Sequence, residues 1–124
     1  MIIGVGIDLV LISSIAHWLE GDKKELFRFF SRAEAELILK SPSPKDSLAA
    51  HYAAKEAFGK ALGTGLKGIT LCDIEVLHDL NGRPTLHLAG TAKALASRLG
   101  QINSFVSLSH KGDYGVACLI LESC

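Results

Sequence analysis

The chain has 124 residues, of which 48% are hydrophobic and 21% charged, and this length and composition predict one globular domain over residues 1–124 with a hydrophobic core. Thirteen lysine and arginine residues against 13 aspartate and glutamate residues give a formal charge of zero. This balance excludes any overall charge that would favour nucleic acid or an anionic membrane, so we expect neither as a partner.

Residues 2–10 alternate as a β-strand does, and one face carries four large apolar residues: Ile3, Val5, Ile7 and Leu9. The other face carries Gly4, Gly6 and Asp8. Glycines in a strand mark a place where a ligand or another backbone comes close. Asp8 is then either a strand-end residue that binds local N–H groups or a group that faces a ligand. No basic region precedes this strand, so it predicts neither a signal peptide nor a membrane span.

Residues 11–20 predict a short helix that Ser13 or Ser14 caps. Residues 23–40 keep a helical spacing, and Ser31 followed by Glu34 is typical of a capping box, which predicts two short helices with a break before Ser31. One side of this segment carries four basic residues: Lys23, Lys24, Arg28 and Arg32. They are either a solvated face or a landing site for an acidic helical protein.

The organising element is a helix from about Pro44 to Leu62 that a glycine turn ends. Two neighbouring rows of apolar residues predict its buried face: Ala49, Ala53, Ala57 and Ala61 in one row, Ala50, Ala54, Phe58 and Leu62 in the other. The opposite face carries Tyr52, Glu56 and Lys60. Glu56 and Lys60 are either an ordinary surface pair or an acid and a base beside a phosphate-binding turn formed by residues 63–65.

The rest of the chain predicts strands at 69–71, 74–78 and 85–88, a hairpin turn at 79–82 and a helix at 89–99. A final hairpin joins a strand at 103–109 to one at 114–121, which is apolar on both faces and so central in its sheet. The fold class predicted is α+β, with a small, mainly antiparallel sheet packed against the long helix. Three cysteines without metal-type spacing, Cys72, Cys118 and Cys124, indicate a reducing, cytoplasmic setting.

Three blocks of sequence point to one family. Residues 53–65 contain Ala-Ala-Lys-Glu-Ala-Phe followed by Lys-Ala-Leu-Gly-Thr-Gly, residues 4–10 read Gly-Val-Gly-Ile-Asp-Leu-Val, and residues 107–110 read Ser-Leu-Ser-His. In register over nearly the whole chain, they resemble the holo-acyl-carrier-protein synthases, which are small phosphopantetheinyl transferases. The resemblance implies the 4'-phosphopantetheinyl transferase fold and a homotrimer with active sites between subunits.

The resemblance also implies a reaction and its catalytic residues. The phosphopantetheine arm of coenzyme A moves to a serine of an apo acyl carrier protein, and 3',5'-ADP is released. Asp8 and Glu56 would bind Mg²⁺, which usually takes one or two protein carboxylates, and Lys60 would place a positive charge on the phosphates. The serine proton would go to Glu56, to a water molecule near Glu56 or to His110, and the resemblance combined with pKa arguments favours the water.

Further coenzyme contacts are implied at three places. Gly63, Thr64 and Gly65 would approach the phosphates. Arg83 and Pro84 resemble an element near the nucleotide end of the coenzyme, although Arg83 is equally typical of a surface residue beside a hairpin turn. Ser109 and His110 would lie at the coenzyme pocket, where His110 is a phosphate donor or a proton acceptor. Without the resemblance, His110 is typical of a structural histidine.

Two positions depart from the family pattern: Ser14 stands where an arginine would contact the carrier protein, and His51 stands where an arginine is common. Carrier docking would then fall to the four basic residues between Lys23 and Arg32. Two other functions stay open from the sequence alone. One is a phosphotransferase acting on a different nucleotide, and the other is a non-catalytic module that binds coenzyme A or the carrier protein.

Overall fold

The structure is a computed structural model that describes residues 1–124 and places one long helix on a three-stranded sheet. The strands are β1 (Ile2–Leu11), β2 (Ile74–His78), β3 (Pro84–Leu88), β4 (Ile102–Lys111) and β5 (Tyr114–Ser123). The helices are α1 (Ile12–Ile15), α2 (Lys24–Phe29), α3 (Arg32–Lys40), α4 (Pro44–Leu62) and α5 (Gly90–Ser97). Single turns of 3-10 helix lie at Ala16–Leu19 and Leu71–Asp73. None of the helices has the length and hydropathy needed to span a bilayer.

The main sheet is antiparallel with the strand order β1-β5-β4, and β2 and β3 form a separate two-stranded sheet. β5 is therefore central, as its apolar residues on both faces predict. The helix α4 covers the inner face of the main sheet, and one cluster of 21 buried residues forms the core. The predicted α+β class, with a small antiparallel sheet against a long helix, is confirmed.

The glycine face of β1 lies directly against the backbone of α4. A Cβ atom on Gly4 would overlap the carbonyl oxygen of Ala61, and one on Gly6 would overlap that of Ala57. Of the two alternatives for these glycines, close approach of another backbone is the one observed. The short side chains of both elements thus allow a contact that larger residues would prevent.

The predicted apolar face of α4 is buried as expected, with Leu62 only half-buried at the end. Two polar residues on its flank are buried as well: His51 is 2% exposed and Lys55 is fully buried. The Nζ atom of Lys55 donates to Glu34 Oε1 at 2.8 Å and to the carbonyl groups of Leu71 and Ile74. Burial raises the pKa of Glu34 and lowers that of Lys55, while their mutual attraction opposes both shifts.

This buried ion pair joins three elements, because Glu34 belongs to α3 and its Oε2 atom accepts from the N–H of Val76 in β2 at 3.1 Å. Glu34 also completes the predicted capping box with Ser31, which is confirmed. Ser31 and Glu34 accept from each other's backbone N–H groups at 3.1 and 3.0 Å. The break between α2 and α3 falls before Ser31, as predicted.

Three local predictions are corrected. Residues 69–71 are not a strand: Leu71–Asp73 form a 3-10 turn, because Asp73 accepts from the N–H and hydroxyl of Thr91 and so holds this segment at the start of α5. The helix predicted from residue 11 starts later, since Leu11 still pairs with Tyr114, and the hydroxyl of Ser14 donates back to Leu11 instead of capping. The helix α5 covers Gly90–Ser97, shorter than predicted.

Candidate active site

Asp8 and Lys60 form an ion pair at the edge of the main sheet. The Nζ atom of Lys60 donates to Asp8 Oδ1 at 3.0 Å and to the carbonyl oxygen of Ile7 at 3.0 Å. The Lys60 side chain is 54% exposed and that of Asp8 17% exposed, so the ammonium group faces solvent. Lys60 therefore pairs with the strand and not with Glu56 one turn earlier, as the surface-pair alternative would require.

Glu56 lies on the same face of α4, with Tyr52 one turn before it. Burial first, then the charge and a hydrogen bond of Glu56 and the charge of Asp8, raise the pKa of Tyr52 to about 12. Both carboxylates thus act on one hydroxyl group, which stays protonated at neutral pH. Glu56 and Asp8 are thus both close to the hydroxyl group of Tyr52, and Lys60 joins this group through its pairing with Asp8.

The donor groups of this cluster suit Mg²⁺. Asp8 and Glu56 offer hard carboxylate oxygens, and two carboxylates are the number that Mg²⁺ usually takes while it keeps several water molecules. No group of three or more histidine, cysteine, aspartate and glutamate side chains has the geometry of a metal cage. A two-carboxylate site open to solvent fits magnesium better than it fits a structural zinc ion.

The glycines after α4 allow the backbone to turn sharply at the end of the helix. Gly63 has φ of 81° and Gly65 has φ of 66°, in the left-handed region that favours glycine. The N–H of Gly63 donates to the carbonyl of Lys60 at 3.0 Å, and the N–H of Gly65 donates to that of Gly59 at 2.9 Å. Both N–H groups are therefore engaged inside the protein, and the turn leaves the exposed hydroxyl of Thr64, which donates to the Gly65 carbonyl.

His110 lies in a different place, on the wall of a cavity of about 440 Å³. We call it the histidine cavity, and its polar wall includes His51, His78, His110, Ser43, Ser47 and Ser109. His51 precedes Glu56 by five residues, which places the two side chains about 140° apart around α4. The histidine cavity and the Asp8–Lys60 pair therefore lie beside different flanks of the helix, and one chain does not bring His110 to the pair.

Arg83 and Pro84 lie at a third place, beside a cleft of about 700 Å³ between the β2–β3 hairpin and β4. The N–H of Arg83 donates to Asp79 Oδ1 at 2.9 Å, and the arginine side chain is exposed. Phe105 and Ser107 of β4 line the opposite wall. Arg83 is thus held by a turn and free to contact a ligand in this cleft.

Sequence reasoning missed three residues near these sites. The sequence pattern places Tyr52 on the polar face of α4 without giving it a role, and it predicts neither the burial of His51 nor the position of His78 beside it. The position of His51 next to the alanine rows is a signal of its burial on a helical wheel. His78 gives no such signal, because its contact with His51, at 5.4 Å between ring centroids, joins residues 27 positions apart in sequence.

The fold is α+β, and its edge strand and long helix bring an exposed ion pair and a further carboxylate to one face. A family model described as the 4'-phosphopantetheinyl transferase superfamily matches residues 4–119. The chain belongs to this family.

Curated relatives match over the full length. The holo-acyl-carrier-protein synthase of Treponema denticola is 49% identical over 123 residues, covering 98% of this chain and 99% of the relative. The synthase of Trichlorobacter lovleyi is 46% identical, with 99% of each chain covered. Among solved structures, the Chronobacterium ammoniagenes complex of this enzyme with coenzyme A has a TM-score of 0.83 at 33% identity, covering 98% of this chain and 97% of that one.

Proposed function

We propose that this chain transfers the 4'-phosphopantetheine arm of coenzyme A to a serine hydroxyl of an apo acyl carrier protein, with release of 3',5'-ADP. The observation that carries the proposal is its 49% identity to a holo-acyl-carrier-protein synthase over 98% of its length. The similarity to a solved coenzyme A complex supports coenzyme A as the donor. Asp8, Glu56 and Lys60 are then the catalytic residues on this chain.

The reaction is attack by an alcohol on one phosphorus of a pyrophosphate, and the negative charge of the pyrophosphate opposes it. Lys60 is the exposed cation of the site, and its hydrogen bonds to Asp8 and Ile7 hold the ammonium group in one position. A fixed positive charge stabilises the developing charge on the leaving phosphate without reorganisation. We therefore assign Lys60 to the phosphates of coenzyme A.

Asp8 and Glu56 would hold Mg²⁺ in this proposal. When bound, the ion would neutralise pyrophosphate charge as a Lewis acid. Tyr52 keeps its proton, so it donates toward Glu56 and orients the carboxylate. The serine proton leaves on the Glu56 side of the site through a water molecule, because a carboxylate held ionised by a cation is a weak base.

The other coenzyme-binding residues would come from the histidine cavity and from the cleft beside Arg83. Ser109 and His110 on the histidine cavity, and Arg83 and Pro84 beside the second cleft, would contact the nucleotide end of coenzyme A. Gly63, Thr64 and Gly65 shape the turn that follows Lys60. Since His110 of β4 and Lys60 of α4 lie beside different flanks of α4, a single reaction centre that uses both needs residues from a second copy.

We infer that this second copy comes from a homotrimer. The outer face of the main sheet is apolar: Val5 is 58% exposed, Ile7 62%, Leu9 58% and Phe105 54%. A contiguous apolar face of this kind marks an interaction surface. Three copies packed through it would place the Asp8–Lys60 pair of one subunit beside the cavities of the next, and a cyclic arrangement closes such contacts.

The carrier protein would dock on the basic side of α2 and α3. Lys24, Arg28 and Arg32 are exposed there, next to Phe27, which is 52% exposed. The guanidinium group of Arg28 stacks over the ring of Phe29 at 5.4 Å, which fixes its position. Basic residues on a rigid helix suit an acidic helical partner and compensate for Ser14, whose hydroxyl is bound to the carbonyl of Leu11.

A cytoplasmic location is part of the same proposal. Cys72, Cys118 and Cys124 are free thiols. Free cysteines are typical of proteins kept in a reducing compartment.

Release of 3',5'-ADP tests the proposed function. Purified protein is incubated with coenzyme A, Mg²⁺ and an apo carrier protein, and the nucleotide is measured by chromatography. We expect release that requires all three components. Release without the carrier would indicate a phosphotransferase of another kind, and binding of coenzyme A without any release would indicate a non-catalytic module.

A further inference from the structure

Asp8 has two cationic partners in the proposed site, the ammonium group of Lys60 and the magnesium ion. The Nζ atom of Lys60 lies 3.0 Å from Asp8 Oδ1, and the Asp8 side chain is 17% exposed, so little water screens the two charges. A divalent ion held by Asp8 and Glu56 would share this carboxylate with the ammonium group. Two cations on one partly buried carboxylate repel each other. The ammonium group therefore opposes the binding of a metal ion to Asp8.

The ammonium group is held in this position by more than Asp8. Its Nζ atom also donates to the carbonyl oxygen of Ile7 at 3.0 Å. Lys60 lies in the last turn of α4, where the helix dipole favours a cation. The backbones of β1 and α4 are in contact, because a Cβ atom on Gly6 would overlap the Ala57 carbonyl oxygen. The positive charge is therefore a fixed part of the site and stays beside Asp8.

The neighbouring groups do not offset this positive charge. Tyr52 stays protonated because its pKa is raised to about 12, so it adds no negative charge. Asp8, Glu56 and Lys60 together carry a single net negative charge, and no third histidine, cysteine or carboxylate side chain completes a metal cage. Mg²⁺ gives up its water reluctantly and usually takes substrate phosphates in addition to one or two carboxylates. The negative charge and the oxygen ligands that the site lacks are those of a pyrophosphate.

We propose that Lys60 keeps the free protein from binding Mg²⁺ tightly, so that the ion enters the site as its complex with coenzyme A. The pyrophosphate of the coenzyme offsets the ammonium charge and supplies oxygen ligands, and so it removes the repulsion that Lys60 exerts on the ion. The inference rests on the proposed function, and it makes the magnesium–coenzyme A complex the donor substrate. Metal and coenzyme then raise each other's affinity by the same factor.

Titration with Mn²⁺ tests this coupling without measuring activity. Mn²⁺ accepts the same oxygen ligands as Mg²⁺, and electron paramagnetic resonance measures the ion that stays free. Lys60→Met keeps the length of the side chain but removes its charge. Without coenzyme, we expect the variant to bind Mn²⁺ about 10-fold more tightly than the wild type. Coenzyme A should raise the Mn²⁺ affinity of the wild type by a factor about 10-fold larger than that of the variant, so that the two proteins become similar.

Three controls accompany this titration. Lys93→Met removes an exposed lysine of α5 and should bind Mn²⁺ as the wild type does, with and without coenzyme. Asp8→Asn should bind Mn²⁺ more weakly than the wild type, and unchanged binding would place the ion elsewhere and overturn the inference. A titration of coenzyme A alone corrects for Mn²⁺ that the coenzyme binds in solution. The Lys60 side chain is 54% exposed, so we expect Lys60→Met to fold, which its melting temperature checks.

The outcomes separate this inference from the function on which it rests. Equal Mn²⁺ affinities of the wild type and Lys60→Met without coenzyme overturn the inference, even where the wild type transfers the phosphopantetheine arm. An equal effect of coenzyme A on the two proteins also overturns it, because Lys60 would then oppose the ion whether or not the coenzyme is bound. Failure of the wild type to bind coenzyme A and to modify a carrier would reject the proposed function itself.

Discussion

The ion-pair partner of Lys60 differs from the one that its neighbours in sequence predict. Its sequence neighbours predict a helix-surface pair with Glu56, but its ammonium group binds Asp8, 52 residues earlier. The pairing leaves the Glu56 carboxylate available on the same face, beside the hydroxyl of Tyr52. The sequence identified these residues through their pattern, whereas the partner of Lys60 depends on how β1 and α4 pack.

Glu56 provides the sharpest prediction at this scale. Glu56→Gln keeps the size and helix position of the side chain but removes the charge that we assign to Mg²⁺ binding and to orienting the water molecule that takes the serine proton. We expect 3',5'-ADP release to fall by about 100-fold or more, with little change in the melting temperature. Glu36→Gln, a matched change at an exposed position of α3, should keep wild-type turnover. Turnover of Glu56→Gln within threefold of the wild type would contradict the assignment.

His51 predicts a pH dependence of stability. Its pKa is about 4 in the folded chain and 6.5 as a free residue, so the unfolded chain binds the proton first. The stability that neutral His51 contributes is complete above pH 6.5 and is lost as the pH falls toward 4. We expect this loss to be about 3 kcal/mol between pH 7 and pH 4.

Urea unfolding at several pH values measures this loss. His51→Gln should lose less stability than the wild type over the same pH range, by about the amount that His51 supplies, since only the wild type has the titrating ring. His17→Gln, at an exposed histidine, should follow the wild type. Parallel pH curves for the wild type and His51→Gln would show that His51 does not titrate as the burial of its ring requires.

The elements show why some of the fold follows from local patterns and some does not. The alanine rows of α4 and the capping box of Ser31 and Glu34 depend on neighbours in sequence, and both were predicted correctly. Residues 69–71 have β-forming side chains, yet the hydrogen bonds from Thr91 to Asp73 hold the following residues in a turn. The glycine face of β1 marked a close approach, but only the structure identifies α4 as the element that approaches.

Gly6 tests the contact between β1 and α4. A Cβ atom in Gly6→Ala would overlap the Ala57 carbonyl oxygen, a backbone atom that cannot rotate away. We expect a loss of about 1 to 3 kcal/mol in the free energy of unfolding, measured in urea at equal protein concentration. Asn103→Ala, a change at an exposed position of β4, should cost less than about 0.5 kcal/mol. Wild-type stability of Gly6→Ala would contradict this packing.

At the scale of the whole molecule, we infer a single domain from the one core that links all the helices and strands of the main sheet. The sequence resemblance implied the family and the reaction, and the full-length comparisons confirm the family. The resemblance also implies a trimer, and the exposed apolar face of the main sheet supports that assembly. What the sequence did not contain is the separation of His110 from the Asp8–Lys60 pair, because that depends on how β1 and β4 are placed in the sheet.

The oligomeric state tests whether a second copy, bound through the main sheet, completes the site. Ile7→Lys places a charge on an apolar side chain that is 62% exposed in one chain and that we bury between subunits. We expect the variant to elute as a monomer in size exclusion with light scattering and to lose transfer activity. Leu80→Lys, at a fully exposed hairpin tip elsewhere, should remain a trimer. A trimeric and active Ile7→Lys would rule out this sheet face as the interface.

The intact mass of an apo carrier protein is the measurement that tests the central claim most directly. The carrier is incubated with coenzyme A, Mg²⁺ and either the wild type or Glu56→Gln, and its mass is then determined. The account predicts a gain of one phosphopantetheine arm with the wild type and an unchanged mass with the variant over the same time. An unchanged carrier mass with folded wild-type protein, for every apo carrier tried, would contradict it.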